Sequence, residues 1–346
     1  MQALILAGGR GTDLRPLTVY TPKPVVPLVN RPLLYYQIEL LKRVGVTDVT
    51  LSINYQPDKI NTIFGDGSDL GMNIRYVTEA NDFGSAGAYK NAGLDPERPT
   101  IVLKSGIVTN LILAKVIKKH TRTNAAATIC TTNKPSEHTS PFVEIDSGSN
   151  VIAIHENAQS VPETSRPLSA MLAGVYILAP EVLSRVPDEC RFSLEYDLLS
   201  TLLNEKSAVT AFDLDEFYWT YISTPSTYLK AHQDFLAGKV KNFEIERLKM
   251  MDIAVTTFID EKSVIDKDCV IKPNVIILNS VIGEGVHIEA GVSIKDSVIW
   301  SHSRISDNSE IRGSILARST YVGKDVSVSE GSVLGDKTSL PDHTRV

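Results

Sequence analysis

A chain of 346 residues, 42% of them hydrophobic, with a formal net charge of -6 is long enough to bury two ordinary cores. The acidic balance excludes the broad basic face by which most proteins hold nucleic acid. Cys130, Cys190 and Cys269 are far apart and form no CxxC pair, which excludes a disulfide framework and a cysteine zinc site and points to a reducing, cytoplasmic setting.

The chain opens on MQALILAGGRG, which has no charged leader and reaches glycine too early for a secretory signal. No apolar run nears the roughly 18 residues of a membrane span. ALILA (3–7) reads as a buried strand running into Gly8, Gly9 and Gly11 of LAGGRGTDLRPLTVYTPKP (6–24). Such a loop can bring backbone N–H groups close to phosphates, because glycine allows positive φ and carries no side chain; sharp turns of other kinds use the same residues. RPLLYYQIELLKRVG (31–45) and LILAKVIKKHTRT (111–123) have the apolar spacing of amphipathic helices, while DVTLSIN (48–54), NIRYVTE (73–79) and TIVLK (100–104) read as buried strands. At the end of TIVLK, where an α/β enzyme would place a carboxylate for a metal ion, the chain has Lys104, Ser105 and Gly106. The alternation through residue 236 predicts an α/β domain with a mostly parallel sheet covered by helices on both faces.

From residue 253 the texture changes. Ile265, Ile282, Ile299 and Leu316 recur every 17 residues, as do Ile271, Ile288, Ile305 and Val322, and Ile277, Ile294, Ile311 and Val328. Ser263, Ser280, Ser297 and Ser314 share the period. Steps of six, six and five residues within each repeat predict a three-sided solenoid of about four coils, each covering the apolar floor of the next. Residues 237–252 form a connector. Trp300 and Tyr321 are expected as exposed apolar residues on the outer surface, a possible contact face between subunits. His287 and His302 are the only histidines inside the coils that could serve an acyltransferase, and no inserted loop shapes a pocket for an acyl donor.

The full glycine stretch resembles the LAGGxGTRLRPLT…PKP signature of sugar-1-phosphate nucleotidyltransferases. The resemblance continues through NRPLLYYQIELL, FGDGSDLGMNIRYV, EANDFGSAGAYKNA, AGVYIL and WTYISTPSTYLKAH. The solenoid resembles the left-handed parallel β-helix of hexapeptide-repeat proteins, so the likeness covers essentially the whole chain. Mannose-1-phosphate guanylyltransferases are the most similar subgroup in architecture. The resemblance implies a Rossmann-like nucleotidyltransferase domain with a mostly parallel mixed sheet over residues 1–236, the connector, and a left-handed β-helix over 253–346. It also implies an in-line displacement at the α-phosphorus of an NTP, stabilised by Mg2+ on two aspartates and by cationic side chains.

The chain departs from that pattern at its chemistry. Gly106 and Tyr221 stand where the two metal aspartates belong. Asp13 replaces an arginine that contacts the triphosphate, Asn157 the lysine of an EKP motif, and Leu172 a sugar-contacting asparagine; Pro141 takes the place of a YGVV glycine. A unit charge pair at about 4 Å is worth roughly 4 kcal/mol near a protein surface, so reversing the sign at position 13 opposes a triphosphate. What persists is Leu6, Ala7, Gly8, Gly9, Gly11, Lys23, Ser85, Ala86 and Gly87 on the nucleotide side and Glu79, Glu156 and Gly174 elsewhere. Each also suits a turn, a cap or a local pair.

Two readings follow. In the first, the chain is a homologue that has lost catalysis, needs no cofactor, and acts as a regulatory or scaffolding subunit that senses a sugar nucleotide or NTP. It would form homo- or hetero-oligomers, joining an active paralogue through the β-helix, with neither nucleic acid nor membrane as partner. In the second, it is an active transferase making a GDP-mannose-like product, with Mg2+ or with Lys104 supplying the charge and with Arg10 and Arg15 replacing the lost loop arginine.

Overall fold

The computed structural model describes residues 1–346 except 79–81, 138–139, 166–167, 189, 246 and 248–251. It divides into two units, residues 1–10 with 34–221 and residues 11–33 with 222–346.

In the first unit four of the runs form one end of a nine-stranded sheet. The strands β1 (Gln2–Leu6), β2 (Asp48–Ser52), β3 (Asn73–Val77) and β4 (Thr100–Lys104) are parallel, in the order β4, β1, β2, β3. Parallel neighbours need crossovers, and α1 (Leu33–Lys42), α2 (Pro57–Phe64) and α3 (Gly84–Asn91) lie on those connections. After β4 come a short strand, β5 (Ile107–Thr109), and α4 (Leu113–Thr123). Of the strands that follow, β6 (Ala127–Thr132) and β7 (Phe142–Ile145) run in the direction of β4, while β8 (Val151–His155) and β9 (Ser169–Leu178) run against it. The long β9 runs antiparallel to β4, β6 and β7. A short helix, α5 (Leu199–Asn204), leads to β10 (Val209–Asp213), parallel to β6. Last in this unit, β11 (Trp219–Tyr221) pairs antiparallel with β5. Leu4, Val102, Ile129, Tyr176 and Leu178 share one buried cluster, which is why these strands read as near-continuous apolar runs.

Both expected helices are shorter than their apolar patterns. Arg31 and Pro32 pair instead with Pro27 and Leu28 across a turn in which Val29 and Asn30 have positive φ, and α1 starts only after the proline. Likewise α4 begins at Leu113 and stops at Asn124, whose φ is +46°.

The second unit holds the solenoid, with faces of six, five and five parallel strands. All twelve aliphatic residues of the 17-residue grid are buried, and Ile271 pairs with Ile288 and Ile277 with Ile294 as the period demands. The solenoid is longer than four coils, because Ile253 stacks on Ile271 and Val322 on Leu340. Both steps contain one residue more than the period and so fall off the grid. The serines form a second ladder: Ser280, Ser297 and Ser314 each donate a backbone N–H to the hydroxyl one coil earlier, at 3.2, 3.1 and 3.2 Å.

Trp300 corrects the expectation of an exposed residue. It is 2% exposed, and its indole N–H donates to the Tyr228 hydroxyl (2.9 Å) on α6 (Pro225–Leu236). A buried tryptophan needs that partner. Tyr321 is exposed as expected, as are His287 and His302, the latter in a turn at φ +58°. The segment 11–33 belongs to this unit as well. Asn30 Nδ2 donates to Ile282 O (2.9 Å), and Gly335 lies so near Pro16 that an added Cβ would stand 3.2 Å from the proline Cβ. The division of the fold therefore does not coincide with the sequence boundary at 236. Among the described residues no helix is long and apolar enough to cross a membrane.

Candidate functional site

Where β1 ends, the Ala7 amide donates to Ser52 O (2.8 Å), tying the start of the glycine loop to the end of β2. Gly8 lies against Asn54, whose Nδ2 would be 3.4 Å from an added Cβ, while Gly9 meets open space. Leu6, Gly8, Gly9 and Arg10 wall one side of a cleft of about 640 Å³, with Ser52, Asn54 and Tyr55 beside them and Asp82, Gly84, Ser85 and Ala88 opposite. The structure thus brings together Leu6, Gly8, Gly9 and Ser85 of the expected nucleotide residues. Ala7 is buried beneath the loop. Ala86 and Gly87 turn away from the cleft: their amides donate to Phe192 O at 2.9 and 3.2 Å. Gly84 is required there, because at φ +74° its missing Cβ would lie 2.7 Å from the same carbonyl oxygen.

Gly11, Asp13 and Lys23 fall in the other unit. Gly11 has φ +62°, and a Cβ on it would stand 3.1 Å from the Lys23 Cβ. The Lys23 side chain is buried, and burial lowers its ammonium to about 8 while the Asp13 charge pulls it back up. The acid that replaces the expected arginine thus supports a buried lysine.

The turn between β4 and β5 holds the second cluster. Gly106 is buried there, and Tyr221 on β11 pairs with Ile107, the next residue, so the two positions expected to carry aspartates are neighbours in space. Between them and the sheet lies an ion pair: Lys104 Nζ is 2.5 Å from Glu195 Oε1, with the side chains 22% and 6% exposed. The Glu195 carboxylate is saturated with donors. Tyr176 Oη donates to Oε1 (2.9 Å), and the Ser85 and Ser193 hydroxyls donate to Oε2 at 3.2 and 3.4 Å. Burial pushes the carboxyl up, yet the Lys104 charge and these hydrogen bonds leave it below its ordinary value. Burial and the Glu195 charge together push the Tyr221 phenol up to about 12.

Gly174 makes room for this pair. It sits at φ +75° in an irregularity of β9 between Leu172 and Tyr176, and a Cβ would lie 2.7 Å from Ile107 Cδ1 and 3.2 Å from Lys104 Cδ. The positive φ and the close approach of Ile107 and the Lys104 stem together favour glycine at this position.

On the expected sugar side the replacements have structural work. Asn157 caps the short helical turn 158–160, its Oδ1 accepting from the Gln159 and Ser160 amides at 3.0 Å each. Leu172 is in the core, its amide bonded to Pro141 O (2.9 Å). Glu156 is exposed. A smaller cleft of about 380 Å³ is lined here by Asn157, Ala158, Met171 and Lys134 among others. The Lys134 ammonium is engaged by the Phe217 carbonyl. Glu79 lies outside the described residues.

Glu195 and Tyr176 are the site residues that sequence reading missed. The signal was slight: FSLEYDLL places an acid inside an apolar run, and a buried acid demands a partner.

The model of the nucleotidyl transferase family matches residues 2–238, and that of the EIF2B subunit epsilon LbH (left-handed β-helix) domain matches residues 245–346. A mannose-1-phosphate guanylyltransferase of Mycobacterium tuberculosis is 28% identical over 239 residues, 69% of this chain and 65% of that relative, a little under two thirds of its length. A mannose-1-phosphate guanyltransferase of Schizosaccharomyces pombe is 31% identical over 280 residues, 78% of this chain and 74% of its own. Among solved structures, HddC from Yersinia pseudotuberculosis complexed with GMP-PN superposes with a TM-score of 0.55 at 26% identity, covering 68% of this chain and 99% of that one.

Proposed function

Because the chain belongs to the nucleotidyl transferase family, we propose that it keeps the fold and the nucleotide cleft but no longer transfers nucleotides, serving as a regulatory or scaffolding subunit that senses a sugar nucleotide. The observation that carries this reading is the Lys104–Glu195 pair at 2.5 Å beside Gly106 and Tyr221.

Mg2+ asks for hard oxygen ligands, carboxylates above all, in a near-octahedral shell. Gly106 supplies none, the Tyr221 phenol stays protonated at neutral pH, and the nearby Glu195 carboxylate already accepts four protein donors. The residues present do not fit the cation, and no step is drawn through it. The Lys104 charge is not available to neutralise a phosphate, since Glu195 balances it. On the phosphate side, Arg10 is the cation in the cleft wall, whereas Asp13 adds the opposite sign to the same loop. That combination favours a nucleotide already bearing few charges over a triphosphate being attacked.

The guanine and mannose in the relatives' names make GDP-mannose the first ligand to try. Assembly with an active relative through the β-helix belongs to the same proposal. The deciding experiment is pyrophosphate release with Mg2+ across NTPs and hexose 1-phosphates, beside an active relative as control. Silence from folded protein is expected. Turnover near that of the control overturns the reading, and metal-free turnover that disappears in Lys104→Ala would establish an active enzyme with lysine as its cation.

A further inference from the structure

We propose that Lys104, tethered to the chain and paired with Glu195, takes the place of a divalent metal ion behind the wall of this cleft, so that ligand binding there is independent of divalent ions. This inference rests on the sensing function proposed above for its ligand, and on geometry alone for the displaced metal.

Three features converge on it. The lysine stem passes close over Gly174, where an added Cβ would stand 3.2 Å from Lys104 Cδ. The carboxylate is oriented from four directions, by Lys104, Tyr176, Ser85 and Ser193, as a metal-binding carboxylate would be by its supporting shell. Finally, the pair is linked to the cleft through Ser85. Ser85 lines the cleft, donates to Glu195 Oε2 (3.2 Å), and accepts from the Leu194 amide (2.8 Å). A cation at Glu195 is therefore part of what sets the cleft wall, and here the chain carries that cation itself. Lys104 is in this sense a positioning residue, acting on the ligand through Glu195 and Ser85.

The inference separates two quantities that metal-dependent sites couple, namely affinity for a divalent ion and affinity for the nucleotide. The test measures both on the full chain. Free Mn2+ is titrated by electron paramagnetic resonance against the wild-type protein, Lys104→Arg, and Lys104→Ala combined with Gly106→Asp. Wild type and Lys104→Arg should take up no Mn2+ below about 1 mM, while the double variant, shown folded by circular dichroism, should bind about tenfold tighter or better. Uptake by the wild type that Glu195→Gln abolishes would overturn the inference, as would a folded double variant that gains nothing. Should the double variant not fold, the wild-type titration still decides.

In parallel, thermal unfolding is followed with GDP in EDTA and in Mg2+. Equal upward shifts support metal-independent binding, and a shift seen only with Mg2+ refutes it. No shift in either condition, repeated with GDP-mannose, sinks the sensing function while the Mn2+ titration judges Lys104 separately.

Discussion

Glu195 keeps its charge in a place that disfavours it: burial pushes the carboxyl up, and Lys104 with Tyr176 pulls it below the ordinary range. A carboxylate whose folded value is depressed stabilises the fold above its unfolded value, and that stability is lost as pH falls through the folded one. Lys104→Met reverses the sign. Burial is then opposed only by the hydrogen bonds, the folded value rises, and the variant loses stability as pH climbs through and above the carboxylate range. Breaking a buried pair costs about 3 kcal/mol or more, so urea unfolding should show the variant well below wild type at pH 8 and closer to it at pH 4.5. Adding Glu195→Gln should recover most of the loss and flatten the pH response; an equal deficit at both pH values would show that the pair is not charged. His232 gives a second pH signature. It is buried, with its imidazole lowered to about 3 by burial, and its Nδ1 accepts the Val29 amide at 3.4 Å. A folded value below the unfolded one of 6.5 means that the fold requires neutral histidine: full stability above about pH 6.5, then a loss of up to about 1.4 kcal/mol per pH unit as pH falls towards 3. His232→Phe should remove that slope between pH 6 and 4, at a cost near 1 kcal/mol at pH 8 for the stranded Val29 amide.

At the scale of elements, what was legible in the sequence was whatever repeats with a period. The 17-residue spacing gives the solenoid its inward residues, since a one-residue slip would turn each aliphatic side chain outward. The β1 and β4 runs are legible because their burial leaves them largely apolar. The end coils are not, because a single added residue in a turn breaks the count without breaking the stack. Nor is the fate of Trp300, whose partner Tyr228 is 72 positions away. The site follows the same rule. Gly106, Tyr221 and Asp13 can be read as replacements against a motif, whereas Lys104 and Glu195, on different elements, meet only once β4 and the 194–198 turn are packed. The serine ladder offers an element-level test. Ser297→Ala would strand the buried Ser314 amide, which now donates to the Ser297 hydroxyl at 3.2 Å, at a cost of about 1–3 kcal/mol. Chemical denaturation should show that loss, whereas Ser327→Ala, on an outer and partly exposed position, should stay within about 0.5 kcal/mol of wild type.

For the whole molecule, the two ways of dividing the chain make different claims about what folds alone. The change of texture near residue 237 suggests a free-standing α/β domain of residues 1–236. In the structure, segment 11–33 and α6 belong to the unit that contains the solenoid. A chain ending at residue 236 would keep Asn30 and Tyr228 but lose Ile282 O and the Trp300 indole that they bond. It would also uncover Tyr228, which is fully buried in the complete chain. Uncovering large apolar surface of this kind costs about 25 cal/mol per Å² and favours aggregation. The truncated chain should therefore appear mostly in the insoluble fraction, or melt well below the full chain with exposed hydrophobic surface detected by ANS fluorescence. A soluble fragment that unfolds cooperatively at the temperature of the intact protein would show that the texture boundary is the true one. In that case segment 11–33 would hold its shape without the solenoid, and the solenoid would be free to serve assembly alone. If the fragment fails instead, the solenoid helps shape half of the nucleotide loop, and a subunit that binds at the β-helix has a physical route by which to act on that loop.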